Sequence, residues 1–143
     1  MELQGIAASD GVGIGPAFFR RTEAVRLPTG PAGDPGREAE RLRQASEAFS
    51  RQLRAQAQVL RQELGEAEAR ILTGQLAILQ DPVLQEALAA AVKEGQWAET
   101  AADSVLSNYA DLFAAMDDPF MRQRAADLQD IRQRLLRLLA GEE

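Results

Sequence analysis

Residues 66–88 read EAEARILTGQLAILQDPVLQEAL, and the fold turns on how that stretch divides. From Glu66 to Gln80 the apolar residues Ile71, Leu72, Leu76, Ile78 and Leu79 follow a helical pattern. Asp81-Pro82 then interrupts it. Asp is a favoured N-cap and Pro is tolerated in the first turn, so this pair closes one helix and opens the next. The second helix places Leu84, Leu88 and Val92 on one face, and Lys93-Glu94-Gly95 ends it. Gly74 lies inside the first helix at a cost of about 1 kcal/mol relative to Ala. An interior Gly there suggests close approach of another backbone, or a bend.

The same punctuation recurs on both sides. Upstream, residues 37–64 carry Leu42, Ala45, Phe49, Leu53, Ala57, Leu60 and Leu64 at helical spacing, and Gly65 weakens the run. Asp34 is placed to cap that helix, with Pro35 at its first position. Before it, PTGPAGDPG at 28–36 holds three Pro and three Gly, which marks residues 21–36 as a linker. Downstream, a helix beginning at Thr100 or its neighbours carries Ala101, Val105, Leu106, Tyr109, Leu112 and Phe113. Asp117-Asp118-Pro119 is another stop and restart. The last helix carries Phe120, Met121, Ala125, Leu128, Ile131, Leu135, Leu136 and Leu139, with Gly141 just past its end. Helices joined by such short turns pack against antiparallel neighbours, so residues 37–143 are expected to form an antiparallel helical bundle.

Residues 1–20 differ from the rest. Leu3 to Ala8 is short and mostly apolar, Gly11, Gly13 and Gly15-Pro16 follow, and then Ala17-Phe18-Phe19. The pattern reads as strand, turn, strand. An isolated strand pair is marginal in water, so the segment is expected to dock onto something else.

The 143-residue chain has no His, no Cys and a net charge of −6. Without Cys it has no disulfide, thiolate nucleophile, zinc finger or iron–sulfur site. Without His it lacks the usual proton shuttle and the commonest metal ligand, and no residue of this chain is available for histidine phosphorylation. Hydrophobic content of 45% with 27% charged residues suits a folded, water-soluble chain. The acidic balance argues against nucleic acid or an anionic membrane as partner. No apolar run is long enough to span a bilayer, and the N-terminus lacks the features of a secretory signal. A cytoplasmic location is the default that follows.

Few residues suggest chemistry. GVGIG at 11–15 has neither the spacing nor the following helix of a nucleotide loop, and reads as a tight structural turn. Asp127 and Asp130 share a helix face, but Arg124 and Arg134 stand three and four residues from them, which suits surface ion pairs better than a metal. The serines have no His partner, and Lys93 forms no known catalytic pattern with them. Catalysis by this chain alone is not expected. Residues 74–84 carry more apolar side chains than one helix face needs. Either this is a deeply buried helix, or it combines a core face with an exposed patch for a protein partner. In the second case Glu66, Glu68, Asp81 and Glu86 would rim the patch and steer a partner with a basic face.

Several pieces together resemble a known family. They are Gly5-Ile6-Ala7-Ala8-Ser9 with Gly13-Ile14-Gly15-Pro16-Ala17, Gly74 to Pro82, Met116-Asp117-Asp118-Pro119-Phe120, and Arg122 to Ile131 leading into Arg134-Leu135-Leu136. The last piece is the most specific. The chain resembles the N-terminal part of enzyme I of the bacterial sugar phosphotransferase system, the phosphoenolpyruvate–protein phosphotransferase. The resemblance implies a mostly α chain. Its helical subdomain would dock the phosphocarrier protein HPr, and its first strands would belong to an α/β phosphohistidine domain otherwise absent here. It implies that the active-site His, in a GGxTSHxAI segment, lies beyond this sequence. It also implies that Mg²⁺ and phosphoenolpyruvate bind a further barrel domain, and that the parent enzyme is a homodimer through that C-terminal domain.

Carried over residue by residue, the resemblance implies a partner surface of Glu66, Gln75, Ala77, Ile78, Gln80, Asp81, Leu84 and Arg124. Gln75 stands where the family commonly has a partner-contacting His, and Gln80 at a usually acidic position. On this reading, truncating Ile78 or Leu84 should weaken partner binding more than folding. Multiphosphoryl transfer proteins and the phosphotransfer subunit of dihydroxyacetone kinase contain similar modules, and the start at Met1 favours a protein with no module upstream. A helical adaptor outside phosphotransfer is the alternative from a different class.

Overall fold

A computed structural model describes residues 26–141, and the strand pair expected in residues 1–20 lies outside them. Five helices follow one another: α1 Pro35–Glu63, α2 Glu66–Leu79, α3 Pro82–Lys93, α4 Ala98–Ala114 and α5 Pro119–Leu139. They form an antiparallel bundle with no β-strand among the described residues.

Three helices begin as the Asp-Pro signals require. Asp34, Asp81 and Asp118 each accept a hydrogen bond from a backbone N–H two residues on, Gly36 at 3.0 Å, Val83 at 2.8 Å and Phe120 at 2.9 Å. Each is followed by Pro in the first turn, where the missing N–H would have had no intrahelical partner. Gly65, at φ +108, turns the chain between α1 and α2 in a region where side-chain-bearing residues are strained. Gly141, at φ +88, follows the end of α5 as expected.

Helix α1 is the spine, touching all four other helices, while α4 and α5 share the largest single interface. Phe49 and Leu53 of α1 meet Leu79, Leu88, Val92, Leu106, Ile131 and Leu135 in one continuous core, all fully buried. Fully burying each such side chain contributes roughly 1.5–3 kcal/mol, which is what holds short-looped helices in register.

Helix α4 begins at Ala98, two residues before the expected Thr100, and its cap is not local. The Ala98 N–H donates to the carboxylate of Glu38, on α1, at 2.9 Å. Arg41 extends the junction: it donates to Glu38 at 2.7 Å, to both carboxylate oxygens of Glu99 at 3.1 and 2.6 Å, and to the Leu139 carbonyl at 3.1 Å. Glu38 and Glu99 are buried, and the fork of Arg41 satisfies both while tying α1 to α4 and to the end of α5. Nearby, the indole N–H of Trp97 donates to the Gly30 carbonyl at 3.0 Å, fastening the non-helical lead segment.

Other expectations are corrected. Ile71, Leu64 and Leu112 are exposed rather than core residues, and Phe120 is 80% exposed. A Cβ on Gly74 would meet nothing within 4 Å, so no backbone among the described residues approaches it. The pairs Arg124–Asp127 and Asp130–Arg134 do not close to salt-bridge distance among the described residues. Arg134 instead stacks 4.6 Å over the Phe49 ring and donates to Gln52 and Gln56 of α1 at 3.0 and 3.4 Å. A half-buried guanidinium gains more from an aromatic face and two amide acceptors than from an exposed carboxylate on its own helix. Arg132 reaches across to Asp103 of α4 at 2.8 Å.

Candidate functional site

Where α2 turns into α3, the bundle opens into a cleft of about 550 Å³. The Asp81-Pro82 break creates it. By ending α2 and redirecting the chain within two residues, it leaves the end of one helix and the start of the next facing the C-terminal half of α4 and the N-terminal half of α5. Ala77 and Ile78 of α2, with Val83 and Leu84 of α3, form one side. Tyr109 and Phe113 of α4, with Met121 and Leu128 of α5, form the other. Tyr109 and Phe113 are four residues apart and Met121 and Leu128 seven, so α4 and α5 each present one face, whereas α2 and α3 each contribute two adjacent residues beside the turn. The Gln85 side-chain amide donates to the Leu79 carbonyl at 2.6 Å, tying the first turn of α3 to the end of α2.

Two charges punctuate this apolar lining, Asp81 and Arg124. Asp81 is exposed, and one carboxylate oxygen is engaged in capping α3. Arg124 is exposed and forms no salt bridge among the described residues. An open, mostly apolar concavity bearing an exposed guanidinium and an acidic cap has the composition of a protein-docking surface.

Five of the eight residues expected at a partner surface, Ala77, Ile78, Asp81, Leu84 and Arg124, line this one cleft. They do not contribute equally. Ile78 and Leu84 are only 9% and 5% exposed and belong chiefly to the core, so truncating either would disturb folding as well as any docking. Gln75, expected on the docking surface, is instead buried at 6% exposure and lies outside the cleft lining. A neutral amide can be accommodated there as a partly apolar filler between helices. Gln80 is exposed and follows the last residue of α2, beside the cleft residue Asp81.

Glu66 lies at the far end of α2, eleven residues from Ala77 and hence roughly 16 Å along the helix. It pairs with Arg61 at 2.7 Å. The acidic rim expected from Glu66, Glu68, Asp81 and Glu86 is therefore spread along the molecule, with only Asp81 at the cleft. Val83, 63% exposed, falls within the apolar stretch 74–84, whereas Tyr109, Phe113, Met121 and Leu128 were not anticipated as lining residues. Their helical spacing assigns them to a buried face, and periodicity does not distinguish a face that meets a neighbour from one that borders an opening.

Among the described residues no group of three or more Asp, Glu, His or Cys could hold a metal ion, and no helix is long and apolar enough to cross a membrane.

Residues 4–124 match the family model of the PEP-utilising enzyme, N-terminal. The chain belongs to this family. As a PEP-utilising enzyme N-terminal domain it is 33% identical over 141 residues to the phosphoenolpyruvate-protein phosphotransferase of Listeria innocua, covering 98% of this chain and 25% of that protein. It is 35% identical over 141 residues to the enzyme of the same name from Enterococcus faecalis, covering 97% of this chain and 24% of that protein. The PEP-utilising enzyme N-terminal domain therefore spans about a quarter of the length of the curated relatives it matches. Its fold agrees with a solved structure described as the N-terminal domain of Enzyme 1 - Nitrogen, with a TM-score of 0.77 and 30% identity. That likeness covers 84% of this chain and 51% of the solved one.

Proposed function

We propose that the cleft between the α2–α3 turn and the α4–α5 pair docks the phosphocarrier protein HPr or an HPr-like domain. In this reading the domain serves a phosphoenolpyruvate–protein phosphotransferase, which passes a phosphoryl group from its own phosphohistidine to a His of the carrier. The domain supplies recognition. With no His and no Cys, it offers no phosphoryl-accepting imidazole or nucleophilic thiol of its own. Transfer between two imidazoles demands that donor and acceptor be held in line at close range, and a rigid docking surface supplies that positioning.

The observation that carries the reading is the coincidence of Ala77, Ile78, Asp81, Leu84 and Arg124 on one open concavity. The Mg²⁺ that the family's chemistry calls for does not fit the described residues, which lack a suitable donor cluster. In this reading it belongs with phosphoenolpyruvate on another domain, through which the parent also dimerises, and the whole works in the cytoplasm. Titrating isotope-labelled protein with HPr from the same organism tests the proposal. Amide shifts should concentrate at residues 77–84, 109–113 and 121–128. Shifts absent from all three segments, or saturating elsewhere, would overturn it.

A further inference from the structure

Met121 is singular among the cleft's residues. It sits on α5 one turn before Arg124 and two before Leu128, so it shares their face, and it lines the opening together with Tyr109 and Phe113 of α4. It is half-buried, so its thioether borders open space without being submerged in the core. The chain has no Cys, which leaves no thiol to be oxidised first. Its neighbour Met116 is 37% exposed on the turn between α4 and α5 but does not line the cleft. A methionine serves an apolar surface by being flexible and polarizable, and sulfoxidation turns it into a polar group.

We propose that Met121 is an oxidation site that switches the docking cleft off. The inference rests on the docking function proposed above. The oxidant is hydrogen peroxide. The Sδ lone pair attacks one peroxide oxygen, the O–O bond breaks, and an S–O bond forms. The other oxygen departs with the remaining protons as water. Sulfur loses two electrons and the peroxide gains them. The sulfoxide oxygen adds a strong acceptor beside the apolar Phe113 and Leu128. The donors in the lining are Arg124 and the Tyr109 hydroxyl, and either would satisfy it only by turning away from the partner; otherwise a partner that excludes water leaves it unsatisfied. Methionine sulfoxide reductase reverses the step, which makes the switch resettable.

The test uses the whole 143-residue chain and HPr from the same organism as probe. Affinity is measured before hydrogen peroxide treatment, after it, and after reduction by methionine sulfoxide reductases, with mass spectrometry assigning the oxidised residue. Cleavage before Asp117 and Asp118 separates Met116 from Met121. The expected result is sulfoxide at Met121, an affinity loss of about tenfold, and recovery on reduction. Within Met121→Leu the ratio of affinities before and after peroxide should be close to one, whatever that variant's own affinity. Met116→Leu should keep the wild-type ratio. Retention of the loss in Met121→Leu, its disappearance in Met116→Leu, or a Met121 that resists peroxide while the fold is intact would each overturn the inference. Untreated protein that does not bind HPr would overturn the docking function and this inference with it. Binding that is equal before and after oxidation of Met121 would overturn the inference alone.

Discussion

Gly74 is helical and faces open space, so its missing side chain serves no contact among the described residues. Gly74→Ala is therefore expected to stabilise the fold by about 0.5–1 kcal/mol, through higher helix propensity and a less flexible unfolded chain. Urea unfolding checks this, and an unchanged or lower midpoint would point to strain in the α2 backbone. Asp127 offers a second test. Burial holds its carboxyl above the usual carboxylate range, and the nearby Asp130 charge pushes the same way against a Gln123 hydrogen bond and Arg124. The folded chain thus binds this proton more tightly than the unfolded chain. The stability it contributes is present at low pH and is lost as pH rises through the folded value. Asp127→Asn should raise stability at pH 7 by roughly 0.3 kcal/mol, small because the site is partly solvated, and the gain should vanish near pH 3. A gain that persists at low pH would assign the effect to packing.

At the scale of elements, helix ends with Asp-Pro were legible because cap and first turn are adjacent in sequence. The start of α4 was not, since its carboxylate comes from Glu38, 60 residues upstream. Nothing local marks Ala98 as a beginning. Glu38→Ala should cost about 2 kcal/mol, combining a lost cap with a weakened hold on Arg41. Glu38→Gln, which keeps an acceptor, should cost less. Thr100→Ala, at the locally suggested start, should stay within about 0.5 kcal/mol of the parent. Chemical denaturation separates the three, and equal losses for Thr100 and Glu38 would contradict the tertiary cap.

For the whole molecule, the cleft was half legible. Asp81 and the apolar surplus around it pointed to the α2–α3 turn, and the resemblance added Arg124 from a distant helix. The opposite wall, Tyr109, Phe113, Met121 and Leu128, carries the same helical spacing as the core, and only the opening beside the α2–α3 turn makes it a boundary. Burial also sorts the probes. Val83→Asp changes an exposed side chain and should leave the unfolding midpoint nearly unaltered while weakening HPr binding about tenfold. Leu84→Ala, in the core, should lower stability by about 2–4 kcal/mol. Calorimetric binding beside thermal unfolding distinguishes them, and HPr binding indifferent to Val83→Asp would place the interface elsewhere.

The Glu38–Ala98 bond also sets an order of events in time. Most contacts of an antiparallel bundle with short turns are local and form quickly. The first turn of α4 gains its cap only once α1 lies alongside, because its leading amide has its partner there. The α4–α5 hairpin can consolidate before that closure, whereas the α1–α4 junction completes it. Amide hydrogen exchange should then show Ala98 and its neighbours opening together with the N-terminal turn of α1, at a lower free energy than the centre of the α4–α5 pair.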